Sequence, residues 1–215
     1  MHISVNTDRQ RNRSRQDFCL PPYVSRQHRP SKLLAIDPGT RELGVAIFEE
    51  GQLLVYQVVN LKRRRPVSAL LRTTQRLLER WVELYRINQI VLEFVPPLRP
   101  APLRLLVAQV RMIRRWAKQH TLPLVEFAAQ TVRKHLVQNS RATKRETAKV
   151  VVHRFPELGI YLNQTYKSKD AYWQNLFDAV ALGLTYLDQR SCGRAIHPNR
   201  LKEQHCQTPI VIPHD

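Results

Sequence analysis

The sequence is poor in acidic residues, in cysteine and in long apolar runs, and each shortage narrows what the protein can be. Its 215 residues include 17 Asp and Glu against 35 Lys and Arg, a formal net charge of +18. No apolar run approaches the ~20 residues of a membrane-spanning helix, so we expect no membrane partner. The first thirty residues also lack the apolar segment of a secretory signal. Three cysteines near the chain ends argue against a disulfide framework and favour a reducing, cytoplasmic compartment.

The excess of basic residues predicts a polyanionic partner. Nucleic acid is the polyanion that strongly basic proteins most often bind, and solubility alone does not need this much charge. Residues 1–31 contain six Arg and only two Asp. Few apolar residues there are spaced to form a face, so we predict a disordered basic N-terminal arm, with an organelle transit peptide as the alternative. Residues 191–215 lack periodicity and are predicted to form an irregular C-terminal tail.

The segment between these ends, residues 32–190, alternates strand-like and helix-like patterns. These patterns predict an α/β domain, a mixed five-stranded sheet flanked by helices in the order β-β-β-α-β-α-β-α-α. A capping box at Thr143 to Glu146 should begin one helix, and Asp170 should cap a last helix that runs to about Leu187. The predicted strands are 33–37, 43–49, 52–60, 89–95 and 123–127.

Three acidic residues stand in apolar contexts where a carboxylate is costly. Asp37 ends the apolar run 33–36 and is followed by a Pro-Gly turn signal, Glu93 interrupts a second apolar strand, and Asp178 lies in an apolar helix. A carboxylate rarely enters such places unless a cation or a partner compensates for the lost hydration. We therefore predict one metal site built from all three. Mg²⁺ suits it, because Mg²⁺ binds through a few carboxylates and keeps waters and phosphate oxygens.

The order of these motifs resembles the RuvC-type Holliday junction resolvases, which have the RNase H-like nuclease fold. The resemblance runs from about Lys32 to Leu187. The matching motifs are Ala35-Ile36-Asp37-Pro38-Gly39-Thr40 with Gly44-Val45-Ala46, Leu92-Glu93-Phe94, Val125-Glu126-Phe127 with Gln130-Thr131-Val132-Arg133-Lys134, Ala142-Thr143-Lys144, and Asp178-Ala179 with Ala181-Leu182. The resemblance implies a structure-selective endodeoxyribonuclease that resolves four-way DNA junctions by paired symmetric nicks. It also implies a homodimer on branched DNA, with a branch-migration helicase as a candidate partner.

The resemblance implies a set of functional residues as well. Asp37, Glu93 and Asp178 would be catalytic metal ligands, Asn175 would be a fourth ligand, and Lys144 would act at the scissile phosphate. Two Mg²⁺ ions per active site are implied, with Mn²⁺ as a substitute. The basic residues predicted to contact the DNA backbone are Lys62, Arg63, Arg64, Arg133, Lys134, Lys144, Lys167 and Lys169.

Two departures from the family pattern keep other functions open. Relatives usually place an acid or a histidine where this chain has Asn175, so the predicted site has one negative charge fewer. Pro96 and Pro97 stand where relatives often carry an aromatic residue that wedges into the junction, and Phe94 is predicted to lie in the core. The alternatives are an RNase H-like nuclease that acts on RNA and a catalytically weakened DNA-binding relative.

Overall fold

A computed structural model describes five stretches of the chain: residues 31–61, 66–96, 103–139, 141–162 and 167–192, with the backbone alone for 167–171. The strands are β1 (Lys32–Asp37), β2 (Glu42–Glu49), β3 (Gln52–Asn60), β4 (Gln89–Glu93) and β5 (Leu124–Phe127). The helices are α1 (Val67–Tyr85), α2 (Arg104–Gln119), α3 (Ala129–Val137), α4 (Lys144–Arg154), α5 (Gly159–Leu162) and α6 (Lys167–Ser191), with a 3₁₀ turn at Pro156–Leu158. The predicted mixed sheet flanked by helices is confirmed.

The strand order places two of the predicted acids side by side. The sheet has the order β3-β2-β1-β4-β5, in which β2 is antiparallel to both of its neighbours and β1, β4 and β5 run parallel. The register between β1 and β4 pairs Ile36 with Leu92. Asp37 and Glu93 therefore follow at the same sheet edge, where the carboxyl ends of parallel strands meet.

Helices cover both faces of the sheet, which explains why β1 is apolar at every position from Leu33 to Ile36. Leu33 and Ala35 pack in one cluster with residues of α3, α4 and α6. Leu34 and Ile36 pack in a second cluster with α1 and α2. Because side chains alternate along a strand, Asp37 belongs to the face that α6 covers.

The capping box that begins α4 is confirmed. The hydroxyl of Thr143 accepts from the backbone N–H of Glu146 at 3.2 Å, and the Glu146 carboxylate accepts from the N–H of Thr143 at 2.6 Å. This reciprocal pair fixes the first turn of α4, and therefore the position of Lys144 at that turn.

The prediction for the last helix is wrong at its start. Helix α6 begins at Lys167, so Asp170 lies inside the helix instead of capping it, and Lys167 and Lys169 lie in its first turn instead of in a preceding loop. Among the described residues after β5 there are four helices, where two were predicted. An acidic residue stabilises the first turn of a helix as well as its N-cap, because the N-terminal end of the helix dipole is positive. Asp170 therefore locates the start of α6 only to within about one turn.

Some predictions fall outside the described residues and stay predictions. They concern residues 1–30, most of the tail, and the DNA contacts Lys62, Arg63 and Arg64. Ser31, placed in the arm by sequence, contacts the domain, because its carbonyl oxygen accepts from the N–H of Glu50 at 3.1 Å. Within the stretches that the structure covers, no helix combines the length and apolarity needed to cross a bilayer.

Candidate active site

Asp37 and Glu93 form a carboxyl pair at the ends of β1 and β4. Asp37 is 7% exposed, Glu93 is half-buried, and their carboxyl groups lie within hydrogen-bonding reach of each other. Burial raises the pKa of Asp37 well above its usual value, Glu93 and Asp178 raise it further, and Lys144 lowers it. Asp37 therefore binds a proton more readily than an isolated carboxyl group does, and a bound cation would replace that proton.

A glycine brings α6 against this pair. Gly44 of β2 is the partner of Asp37 in the antiparallel register. A Cβ atom on Gly44 would collide with the backbone carbonyl oxygen of Asn175 and would lie 3.2 Å from the Cβ of Asp37. Gly44 thus permits the close approach that sets Asn175 beside Asp37, and Asp178 follows one helical turn later.

Asp178 is held by two donors. Lys144 Nζ lies 2.7 Å from Asp178 Oδ2, and the Nε2 of Gln174 donates to Asp178 Oδ1 at 2.9 Å. Partial burial pulls the pKa of Lys144 down, but the charge and hydrogen bond of Asp178 raise it more, and Asp37 and Glu93 add to the rise. Lys144 therefore stays a cation beside the acids, and it anchors the first turn of α4 to α6.

The donor set fits a divalent cation, although the carboxylates do not all point at one place. In the described part of the chain, no three His, Cys, Asp or Glu side chains are arranged closely enough to hold a metal ion. Asp37 and Glu93 face each other, whereas Asp178 faces Lys144 and Gln174. Buried Asp37 and half-buried Glu93 offer oxygen ligands whose mutual repulsion a cation would relieve, and Asp178 is the neighbouring carboxylate that could join them.

Asn175 is hydrogen-bonded to Glu42, a residue that no sequence pattern had identified. Its Nδ2 donates to Oε2 of Glu42 at 3.3 Å, across 133 residues of sequence. Glu42 is the first residue of β2 and is half-buried. Close by, the hydroxyl of Tyr172 donates to the carbonyl oxygen of Val58 at 3.0 Å, which fixes this part of α6 on β3.

A cleft opens beside the acids between α3, α4 and α6. Among the predicted DNA contacts, Arg133 and Lys144 line it, and Arg133 Nε donates to the carbonyl oxygen of Ala129 at 3.3 Å. Lys134 is exposed next to Arg133 on α3, and the side chains of Lys167 and Lys169 lie outside the described set. The lining residues are Glu93, Ala129, Val132, Arg133, Lys144, Thr147, Asp178 and Leu182. Cationic groups and carboxylates thus share one opening.

The predicted burial of Phe94 is wrong. Phe94 is 36% exposed, because β4 ends at Glu93 and the strand alternation that would bury the next side chain stops there. The guanidinium carbon of Arg114 lies 5.8 Å from the centre of the Phe94 ring. Arg114 is itself fixed by Glu126, with Nη2 to Oε1 at 2.7 Å and Nε to Oε2 at 3.1 Å. A partly exposed aromatic ring therefore lies directly after Glu93, and it is in contact with Arg114, which Glu126 holds in place.

Sequence reasoning missed Gln174 and Glu42. Gln174 lies four residues before Asp178, and this helical spacing is a signal that could have identified it. Glu42 had no such signal, because only the strand register and the packing of α6 bring it to Asn175.

Comparison with known proteins decides the family. The model of the crossover junction endodeoxyribonuclease RuvC family matches residues 33–186. The chain belongs to the RuvC family. The predicted relationship is thereby confirmed, and the match spans every element that contributes to the site, from β1 to α6.

Solved structures of RuvC share the fold. Thermus thermophilus RuvC is 19% identical with a TM-score of 0.60, and the alignment covers 77% of this chain and 98% of that protein. T. thermophilus RuvC in complex with a Holliday junction substrate is 20% identical with a TM-score of 0.60, covering 76% and 96%. A comparison with curated proteins finds no match. The structural likeness establishes the RNase H-like architecture of this RuvC-family chain.

Proposed function

We propose that this RuvC-family protein is a Mg²⁺-dependent endonuclease that resolves four-way DNA junctions by paired symmetric nicks. The observation that carries the proposal is the pair of buried Asp37 and half-buried Glu93, with Asp178 and the Lys144 cation beside it. A chain of charge +18 thus gathers three acids at one sheet edge, which suits metal-dependent chemistry on a polyanion. That a RuvC has been solved with a Holliday junction substrate supports branched DNA as the substrate.

The residues of the site divide into cation ligands and groups for the phosphate. Asp37, Glu93 and Asp178 would hold the cation, with the Asn175 amide beside them. Bound there, Mg²⁺ would supply activation of the attacking water and stabilisation of the leaving 3′ oxygen, and Mn²⁺ would substitute for it.

Lys144 is the group best placed to act on the scissile phosphate. Its side chain is exposed and lines the cleft, although its ammonium group contacts Asp178 in this structure. If Asp178 turned towards a cation, the Lys144 ammonium would be free to bind a phosphate oxygen. Arg133 lines the same cleft, where its guanidinium would hold the neighbouring backbone.

Paired nicking follows from the substrate. A four-way junction is resolved by two symmetric cuts. The described residues of one chain supply the acids Asp37, Glu93 and Asp178 for one cut, so two copies related by a two-fold axis would supply both cuts. Sedimentation of the protein with and without junction DNA tests this part, and the expected species is a dimer.

A cleavage assay tests the proposal against its rivals. Wild type, Asp37→Asn and Glu49→Gln are each incubated with a synthetic four-way junction, a DNA duplex or an RNA duplex, in Mg²⁺, Mn²⁺ or EDTA. Glu49 is the matched control, because it lies at the far end of β2 and pairs with Lys32 at 2.8 Å. We expect paired, metal-dependent nicks in the junction from wild type and Glu49→Gln, and none from Asp37→Asn.

Two other outcomes of the same assay would replace the proposal. Preferential cleavage of RNA would identify an RNA nuclease. Junction binding without cleavage in any metal would identify a DNA-binding relative whose site has lost activity.

A further inference from the structure

The amide of Asn175 can serve a cation in only one orientation. Its oxygen accepts hydrogen bonds and can ligate Mg²⁺, whereas its NH₂ group only donates and would repel a cation. An aspartate in the same place would need no such control, because both of its oxygens are ligands. The group that sets the orientation of the Asn175 amide therefore decides whether Asn175 favours or opposes the binding of a cation.

Glu42 is the group that fixes it. A carboxylate accepts hydrogen bonds and cannot donate, so its 3.3 Å bond to Asn175 has to come from the nitrogen end of the amide. With Nδ2 engaged by Glu42, the oxygen of Asn175 is directed away from Glu42.

The sheet register places Glu42 on the same face of the sheet as Asp37, close to Asn175. Glu42 lies two residues before Gly44 on β2, so both belong to the face that α6 covers. Gly44 in turn pairs with Asp37 and contacts the backbone of Asn175. The backbone of Asn175 and the side chain of Asp37 thus both lie close to Gly44, and the Asn175 amide reaches Glu42 two residues away on the same strand.

We propose that Glu42 is a positioning residue, which holds the nitrogen of the Asn175 amide so that the amide oxygen is the atom offered to a divalent cation. The proposal rests on the metal-dependent function proposed above. It gives the neutral amide of Asn175 a defined orientation beside the acids.

Binding of Mn²⁺ alone to the full chain, measured by calorimetry without DNA, tests the proposal. Glu42→Leu removes the acceptor, and Glu42→Gln removes the charge but keeps an acceptor oxygen. We expect Glu42→Leu to weaken Mn²⁺ binding by about tenfold, the usual worth of one hydrogen bond to a charged group, and Glu42→Gln to stay close to wild type. Glu49→Leu, at the other end of β2, is the control and should bind Mn²⁺ as wild type does.

A second background separates orientation from charge. In Asn175→Asp no orientation is needed, so adding Glu42→Leu should no longer weaken Mn²⁺ binding. Equal weakening in both backgrounds, or Glu42→Gln as weak as Glu42→Leu, would show that Glu42 acts through its charge and would overturn the proposal. Unchanged Mn²⁺ binding by Glu42→Leu would overturn it as well.

Nuclear magnetic resonance of the wild type covers the case in which Glu42→Leu does not fold. Added Mg²⁺ should shift the side-chain carbonyl carbon of Asn175 while its NH₂ group stays hydrogen-bonded, and an unshifted carbonyl would refute the proposal. Wild type that binds Mn²⁺ but cuts no junction would refute the proposed function alone. Junction cleavage that is intact, with no effect of Glu42→Leu on Mn²⁺ binding, would refute the role of Glu42 alone.

Discussion

Replacing Asp37 by Asn should stabilise the metal-free protein while it abolishes cleavage. Asp37 is buried, and its pKa is raised first by burial and then by Glu93 and Asp178. The folded state therefore carries an electrostatic cost at neutral pH that a cation would relieve. Asn has nearly the same shape and no charge, so it removes this cost together with the proposed ligand.

The size of the gain can be estimated from Coulomb's law for two charges in contact. Two like charges about 4 Å apart repel by roughly 4 kcal/mol at an effective dielectric constant of about 20. Because Lys144 offsets only part of this repulsion and the solvent screens it further, we expect the free energy of unfolding to rise by about 2 kcal/mol, or roughly 4 to 8 °C in Tm.

The pH dependence of the gain has a defined sign. Because the pKa of Asp37 is raised above its usual 3.8, the folded state holds a proton that the unfolded state releases. The stability of the wild type due to this group therefore falls as pH rises from 3.8 to the raised pKa, and stays low above it. The advantage of Asp37→Asn should be small near pH 4 and largest at neutral pH.

Thermal unfolding of both proteins in EDTA, at several pH values, checks this prediction. Asp188→Asn is the control of opposite sign: burial raises the Asp188 pKa, but His135 and Arg154 lower it more, so the net pKa is depressed. The stability that Asp188 contributes is present above its usual 3.8 and is lost as pH falls through the depressed pKa, so this variant should be less stable at neutral pH. Added Mg²⁺ should raise the Tm of wild type more than that of Asp37→Asn. A lower Tm for Asp37→Asn in EDTA at neutral pH, or a gain that does not vary with pH, would refute the reasoning.

Three further predictions address the DNA. Lys144→Met should reduce the junction cleavage rate at least tenfold, because it removes the cation beside Asp178. Calorimetry should still detect Mn²⁺ binding. An unchanged cleavage rate would show that Lys144 does not act on the scissile phosphate. Phe94→Ala should weaken junction binding by about 1–3 kcal/mol if the exposed ring stacks on a base, and should leave duplex binding, measured by anisotropy, unchanged. Removal of residues 1–30, which hold six Arg and two Asp, should lower the salt slope of junction binding by up to about 0.9 for each phosphate that the arm neutralises. An identical slope would show that the arm does not touch DNA.

Local patterns in the sequence were sufficient to predict the five strands and the family, but not all of the helices that follow β5. The runs that end at Asp37 and Glu93 could be predicted as strands because short, continuous apolar segments are typical of strands buried on both faces. The capping box at Thr143 is a contact between residues three apart, so it can be read directly from the sequence. Neither inference depends on how distant parts of the chain meet.

Only the tertiary structure decided which side chains of the site contact each other. The bond between Lys144 and Asp178 spans 34 residues and the bond between Asn175 and Glu42 spans 133, and both depend on where α6 crosses the sheet. The exposure of Phe94 depends on where β4 stops. The sequence by itself determined which residues carry charge and which strand or helix bears them. Register and packing, which involve many weak contacts between distant segments, determined which charges face each other.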